Sequence, residues 1–432
     1  MHFKGKSDSL PSIAARKLES LAFMPKSVVI VGGSHAAAQT CVSLRQGGWD
    51  GKIIIIGDEA ELPYHRPPLS KDFLSGQKAL SDILIRPRGA YDAADIELKL
   101  GVRVGSIDRK GKTVLTDTGE TVPYEKLVLT TGARIRRLPV KGEGLDNVFY
   151  LRDTTDVLAI KHKMKTAKTA LIIGGGYIGL ETAASLRVRG IDVTVLEAMP
   201  RILQRVTAPQ LSRFYKRIHL QEGVNILENV MASKITTTDR GNLRVSTSCD
   251  QNFDADMLII GIGVIPNTEL AEMAGLTIGN GIEVNEFCQT SDPDIYAAGD
   301  VSWHHNKIYD THIRLESVPN ATEQGKVVAA HINGKAKPHN ALPWFWSDQF
   351  DLKLQIAGLS TGYDQIIIRG DIETSRSFAA YYFKGGRFIS VDAVNAPRDF
   401  MFGKMALIKG VNLDKARLPD SAEELKSLIL KP

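Results

Sequence analysis

Four short apolar runs mark the first half of the chain, each where a buried strand belongs. Residues 28–31 (Val-Val-Ile-Val) lead into a glycine turn, and 52–56 (Lys-Ile-Ile-Ile-Ile) form a second run after it. Residues 171–173 lead into another glycine turn, and 193–196 follow the helical segment behind that one. Unbroken runs of this length between turn signals fit strands covered on both faces. A strand–turn–helix–strand unit closes as a right-handed crossover, so each half is expected to build a parallel sheet. Between the turns, 112–115 and 127–129 read as antiparallel strands inserted into the first unit. A strand begins at Leu258, and the stretch 292–300 reads as the chain returning to the first unit. Beyond Pro343 the alternating stretches 352–356, 365–369, 378–383 and 387–391 suggest an antiparallel sheet, with a helical tail after it. The fold class expected is α/β: two Rossmann-like dinucleotide-binding domains and a C-terminal α+β domain.

The turns carry the candidate chemistry. Glycine there lets the backbone approach a pyrophosphate, and the helix behind it offers free N–H groups. The first turn reads Gly32-x-Ser34-x-x-Ala37, with Ser34 where a second glycine is usual. The second, Gly174-x-Gly176-x-x-Gly179, matches the dinucleotide fingerprint in full. An acid at the end of the following strand belongs on a ribose diol: Asp58 in the first unit, Glu197 in the second. Glu197 favours NADH over NADPH, because a carboxylate repels a 2′-phosphate; nearby Arg201 either softens that preference or pairs with a local acid. Two such sites in one chain imply a flavin beside a nicotinamide. A third element, the Gly299-Asp300 corner after 295–298, places a carboxylate where it can bind a sugar-like hydroxyl chain.

Composition narrows the class without changing it. The 432 residues are 43% hydrophobic and 24% charged, as in ordinary soluble domains. No apolar run is long enough to span a membrane. The net charge is +5, and Lys4, Lys6, Arg16 and Lys17 against Asp8 and Glu19 put +2 of it ahead of Met24. The remainder, without a Lys/Arg run interleaved with aromatics, gives no reason to expect nucleic acid. Residues 1–24 lack a secretory signal's apolar segment and are expected to be a disordered leader. Cys41, Cys249 and Cys288 are far apart, which fits reduced thiols and a cytoplasmic location. No Cys pair is spaced for a redox disulfide, so electrons must leave from the flavin itself, and no four-Cys cluster pattern is present. Histidines show no metal-ligand spacing, so no metal is expected; His304 and His305 read as surface or capping residues, and His35 as filling the first turn.

Arg66-Pro67-Pro68-Leu69-Ser70-Lys71, Gly174 through Glu181, Gly261 through Asn267 and Thr290 through Asp300 together resemble the FAD-dependent, NADH-using ferredoxin reductases of the putidaredoxin reductase and rubredoxin reductase type, a glutathione-reductase-like FAD/NAD fold. Glu316 through Ala321 and Pro343 through Gln349 resemble its branch serving cytochrome P450 systems. The resemblance implies an FAD domain over 25–134 and 266–339, an NADH domain over 135–265 and a C-terminal domain over 340–432. It places Gly32, Ser34, Ala36 and Ala37 at the FAD pyrophosphate, Asp58 at the adenosine ribose and Val104 on the adenine side. Arg152 and Asp300 are implied at the flavin nucleotide and ribityl chain, and Val318 at the pyrimidine end of the ring. Gly174, Gly176, Ile178, Gly179, Glu197 and Gly263 are implied around NADH. Lys71 is implied beside the flavin, fixed at the start of a helix, where a cation stabilises reduced flavin. Glu181, one turn into the second nucleotide helix, is expected to pair with Lys71 and frame the nicotinamide. Trp344 and Trp346 share a strand face, which suits either core packing or docking of a small acidic [2Fe-2S] ferredoxin, with Lys326 as supporting charge. The activity implied is NADH-dependent ferredoxin reduction feeding a P450. A dioxygenase reductase and an NADH-sensing flavoprotein with little turnover stay open as alternatives.

Overall fold

The computed structural model describes residues 26–430; the leader expected over 1–24 lies outside them. Strand β1 (Ser27–Val31) is wholly buried, and helix α1 (His35–Gly47) follows. The buried face of α1 is Ala36, Ala37, Cys41 and Leu44, the apolar stripe expected of a helix lying on a sheet. It ends at Gly48, whose φ of 98° lets its N–H reach back to the last carbonyls. Strand β2 (Lys52–Gly57) then pairs parallel to β1, and β3 (Ile96–Leu100) pairs parallel to β2. Strands β4 (Val104–Asp108), β5 (Thr113–Thr116) and β6 (Thr121–Pro123) form a three-stranded antiparallel sheet, as read for 112–115.

The reading of 127–129 as antiparallel is corrected. Strand β7 (Lys126–Leu129) pairs parallel to β1 inside the first sheet. Leu127, Val128 and Leu129 are all fully buried, so this is a strand covered on both faces. It follows the antiparallel insertion so closely that pattern alone merged the two.

The second unit contains β8 (Val148–Tyr150), β9 (Thr169–Ile173), helix α2 (Tyr177–Val188), β10 (Asp192–Glu197), helix α3 (Pro209–Gln221), β11 (Val224–Glu228) and β12 (Met257–Ile260). These five strands make one all-parallel sheet, in the order β11-β10-β9-β12-β8, and Ala232–Thr237, Leu243–Thr247 and Asn252–Ala255 form a separate antiparallel sheet beside it. The chain then returns. Strand β13 (Ile295–Ala297) pairs parallel to β7, completing the first sheet as β13-β7-β1-β2-β3. Helix α4 (Val318–Ile332) packs so closely on α1 that a Cβ on Gly325 would lie 3.0 Å from the Ala36 carbonyl oxygen.

The last sheet is antiparallel, built from β14 (Trp344–Gln349), β15 (Leu352–Gly358), β16 (Gln365–Gly370), β17 (Phe378–Lys384) and β18 (Arg387–Val394) in the order β14-β15-β18-β17-β16. One face packs under helix α5 (Pro397–Lys409) through Tyr381, Phe383 and Val391 against Phe400 and Ala406. The other packs on the second unit, with Phe378 edge-on to Phe214 of α3 at 4.8 Å. The alternation read for 378–383 is corrected: all six residues are buried, because both faces of this sheet are covered. The expected helical tail is α5, followed by turns and a 3₁₀ turn at Leu425–Leu428. Among the described residues no helix is long and apolar enough to cross a membrane.

Candidate functional site

The two glycine turns are built alike. Gly32 donates its N–H to the Ile56 carbonyl at 2.8 Å, and Gly174 donates to that of Leu196 at 2.9 Å. Gly32 has φ +108° and Gly174 φ +111°, backbone that disfavours any side chain. A Cβ on Gly32 would lie 2.2 Å from the Thr130 carbonyl oxygen, just past β7; one on Gly174 would lie 2.4 Å from that of Gly261, just past β12. Each turn is therefore pressed against the next parallel strand, and the other side is open. A Cβ on Gly33 would have no neighbour closer than 3.9 Å, and one on Gly176 none within 4 Å. That open side lies at the N-termini of α1 and α2, cradles sized for backbone contact with a diphosphate. Ser34 takes extended backbone at the head of α1, where glycine is not required, and its hydroxyl caps no helix N–H. Ala36 and Ala37 are buried under the same turn.

Other elements converge on the first turn. A Cβ on Gly299 would lie 3.4 Å from that of Ala36 and 3.7 Å from that of Ala321 in α4. Asp300 thus stands between the turn and the N-terminus of α4, where Val318 is the first residue. Arg152 Nη2 is 3.8 Å from Asp300 Oδ2. Burial pushes the Asp300 carboxyl up, against the pull of Arg152. A carboxylate with so few partners fits hydroxyl donors from a sugar-alcohol chain. Arg66 donates to the Arg152 carbonyl at 2.9 Å and pairs with Glu59. Asp58 is exposed just past β2 and pairs with Arg103 at 2.9 Å. Val104 is packed with Val114 and Val122 in the core beneath.

In the second unit Glu197 accepts the Gly175 N–H at 2.6 Å and the Met199 N–H at 2.7 Å, which fixes the carboxylate at the mouth of the turn. Arg201 does neither thing weighed for it. It donates to the Thr207 and Gln204 carbonyls and to Ser212 Oγ at 2.6–3.0 Å, which ties it to its own loop. Gly179 is buried, and a Cβ there would strike the Gly174 carbonyl oxygen at 2.1 Å. Ile178 and Gly263 are exposed on the same side.

Between the two cradles Lys71 Nζ lies 2.7 Å from Glu181 Oε2. Lys71 does not start a helix; it closes the 3₁₀ turn Pro67–Ser70, its N–H returning to the Pro68 carbonyl. The turn ends there because Lys71 leaves the helical region, with φ −126° and ψ −114°. Glu181 is 4% exposed and accepts Ser70 Oγ at 2.5 Å and Ser347 Oγ at 2.6 Å. Ser70, Ser347 and the latter's neighbour Gln349 were missed in the sequence. Two polar residues at the inward positions 347 and 349 of an otherwise apolar strand face were the available signal.

Trp344 and Trp346 are half-buried and adjacent on β14, ring centroids 5.6 Å apart, and with Asp348, Lys353 and Gln355 they line an open groove. Lys404 lies over the Trp344 ring at 4.4 Å. Lys326, on α4, is half-exposed and paired with Glu323 at 2.7 Å. His304 is corrected: it is 2% exposed, bonded to Gln324 at 3.2 Å, and burial holds its pKa at about 3. It is a core residue of the first unit, while His305 is exposed. His35 faces His65 across 3.2 Å, its pKa held at about 3 by burial. Among the described residues no group of three or more His, Cys, Asp or Glu is arranged for a metal ion, and Cys41, Cys249 and Cys288 are free thiols.

Residues 26–325 match the Pyridine nucleotide-disulphide oxidoreductase model, and 344–429 match Reductase C-terminal. The chain belongs to the pyridine nucleotide-disulphide oxidoreductase family. As a member it is an oxidoreductase of FAD and a nicotinamide nucleotide, with the two-cradle fold and the C-terminal sheet described above. This oxidoreductase is 40% identical to putidaredoxin reductase CamA of Pseudomonas putida, over 93% of this chain and 96% of that one. It is 37% identical to the ferredoxin--NAD(+) reductase component of the anthranilate 1,2-dioxygenase system of Burkholderia cepacia, over 93% and 98%. Among solved structures, the ferredoxin reductase for the CYP199A2 system of Rhodopseudomonas palustris superposes with TM-score 0.90 at 39% identity, covering 93% of this chain and 99% of that one. The covalent putidaredoxin reductase–putidaredoxin complex does so with TM-score 0.90 at 39% identity, covering 93% and 98%.

Proposed function

We propose that this oxidoreductase is an NADH-dependent ferredoxin reductase, taking a hydride from NADH onto FAD and passing single electrons to a [2Fe-2S] ferredoxin that supplies a cytochrome P450. The carrying observation is the pair of matched cradles with the buried Lys71–Glu181 pair between them. FAD, when bound, supplies acceptance of electrons as a pair and their release one at a time. The chain's own residues bind and orient. Gly32 through Ala37 receive the FAD diphosphate on the α1 N-terminus, Asp58 the adenosine ribose, with Val104 below the adenine. Arg152 and Asp300 hold the flavin nucleotide, and Val318 offers an N–H at the pyrimidine end. Gly174, Gly176, Ile178, Gly179, Glu197 and Gly263 seat NADH. Lys71 holds a positive charge beside the flavin, and Glu181 holds Lys71 in place. No residue needs to move a proton for the hydride step; positioning supplies most of the acceleration.

The domain division 25–134 with 266–339, 135–265 and 340–432 is part of this reading, supported by the return of β13 to the first sheet. A cytoplasmic location is proposed from three free, unpaired thiols. The P450 assignment leans on the relative for the CYP199A2 system. A second reading, reductase of a ring-hydroxylating dioxygenase, is favoured by the anthranilate 1,2-dioxygenase relative. Purified protein with a flavin spectrum, assayed with NADH and a panel of ferredoxins from both kinds of system, tests the proposal. Steady turnover with a ferredoxin supports it, and bleaching by NADH without onward transfer overturns it in favour of a sensor.

Two further outcomes are expected. Replacing Glu197 by alanine removes the repulsion of a 2′-phosphate, and the ratio of kcat/KM for NADH over NADPH falls roughly tenfold or more. Because Arg201 is already committed to its loop, the loss of NADH preference exceeds the gain in NADPH use. Docking at Trp344, Trp346 and Lys326 is read as charge-steered toward an acidic ferredoxin. The ferredoxin reduction rate then falls about threefold or more when ionic strength rises from about 0.05 M to about 0.5 M. A flat response removes electrostatic docking, and the aromatic pair is left as the contact.

A further inference from the structure

We propose that Ser347, on the first strand of the C-terminal sheet, is a positioning residue for the redox centre: its hydroxyl fixes the Glu181 carboxylate and through it the Lys71 ammonium, with Gln349 and His219 fixing the hydroxyl in turn. This rests on the reading that Lys71 stands beside the flavin. Six side chains from four segments form one directed network. His219 on α3 approaches Gln349 Oε1 through Nε2 at 2.8 Å. The imidazole is fully buried and burial holds its pKa at about 4, so the ring is neutral; Nε2 faces the amide oxygen and Nδ1 has no partner, and the proton is best placed on Nε2, where it is hydrogen-bonded and no N–H is left buried alone. Gln349 Oε1 is therefore the acceptor, and its Nε2 donates to Ser347 Oγ at 3.2 Å. Ser347 Oγ is thereby an acceptor on one side, and its own proton goes to Glu181 Oε1 at 2.6 Å. The other carboxylate oxygen takes Ser70 Oγ at 2.5 Å and Lys71 Nζ at 2.7 Å. Reversing the chain leaves Glu181 Oε1 buried without a donor, which is the costly arrangement.

Placing Ser347 and Gln349 at inward positions is unfavourable as packing. Their neighbours on that face, Leu352, Leu354, Phe378 and Tyr382, are apolar or aromatic, and an apolar pair there saves the desolvation of two polar groups. The polar pair instead links the C-terminal sheet and α3 to the Lys71–Glu181 ion pair. Asp348, on the opposite face of the same strand, lies within Coulombic reach of Lys71. With Ser347 in place Glu181 is immobile and holds Lys71. Without that donor the carboxylate is less neutralised, and Lys71 is divided between Glu181 and Asp348. Both effects remove positive potential from the flavin side, so reduced flavin is destabilised.

The test uses the FAD-loaded full chain with Ser347→Ala, Ser347→Thr and His219→Phe, following anaerobic flavin reduction by NADH, KM for NADH, and the flavin reduction equilibrium against a reference dye. Ser347→Ala is expected to slow reduction about tenfold and to shift the equilibrium about threefold toward oxidised flavin, with KM within about twofold. Ser347→Thr keeps the hydroxyl and restores both values; His219→Phe moves them the same way by less. Ser347→Ala within twofold of wild type in rate and equilibrium overturns the inference, and so does a threonine variant as impaired as alanine, since volume is then the cause. A wild-type protein that NADH does not reduce overturns the proposed function itself; normal wild-type reduction with an unaffected Ser347→Ala overturns only this inference.

Discussion

A Gly32→Ala enzyme is expected to purify colourless, with FAD affinity lowered roughly 100-fold or more, about 2.7 kcal/mol. Two independent obstacles meet at this residue. Its φ of +108° is backbone that a side chain disfavours, and a Cβ would sit 2.2 Å from the Thr130 carbonyl oxygen. Thr130 cannot retreat, because its N–H and Oγ are bonded back to the Val31 carbonyl and the preceding residues Leu127–Leu129 of β7 are buried between β1 and β13. The turn must move instead, and it carries the N-terminus of α1 with it. The companion substitution separates the two sites. Gly174→Ala meets the equivalent obstacle at Gly261, so it is expected to keep the yellow colour and raise KM for NADH by a similar factor. The ratio of flavin to protein absorbance and an FAD titration read the first result; steady-state kinetics read the second. A Gly32→Ala protein that retains FAD at wild-type affinity removes this turn from the FAD site.

Replacing Lys71 by methionine is expected to slow flavin reduction by NADH about 100-fold and to lower stability by about 3 kcal/mol, the usual consequence of leaving one partner of a buried ion pair alone. The side chain is 15% exposed and that of Glu181 5%, so little water replaces the lost cation. Methionine matches the length of the lysine stem, which keeps packing changes small. The double variant Lys71→Met/Glu181→Gln is expected to recover much of the stability and little of the rate, because it removes the stranded charge without returning the cation. Rapid-mixing measurements at the flavin absorbance and thermal melts distinguish the two effects. Wild-type reduction rates in Lys71→Met remove the lysine from the redox centre.

The corrections share a physical origin. The pairing direction of β7 depends on which strand lies beside it in space, and a three-residue apolar run looks the same in either sheet. His304 read as a surface residue because the doublet with His305 is polar; in a strand, neighbours point to opposite faces, so one is buried and the other is wet. Lys71 sits after a 3₁₀ turn instead of at a helix start because its own backbone, at φ −126° and ψ −114°, leaves the helical region after one turn, whereas Pro67 and Pro68 are residues that start a helix or a 3₁₀ turn equally well.

The amino-acid order by itself determined the two nucleotide cradles and the antiparallel C-terminal sheet. These are local: a glycine at a forced φ, an acid at a strand end and the spacing of apolar runs lie within a few residues of one another. Membership of the family follows from the same short motifs. Only the folded chain decided what surrounds Glu181. Ser70, Lys71, His219, Ser347 and Gln349 are separated by up to 279 positions, and no pattern within one strand or helix links them. They meet because the C-terminal sheet covers α2 and α3, and burial there makes an unpartnered carboxylate costly, so the Glu181 oxygens, the two serine hydroxyls and the Gln349 amide bond to one another.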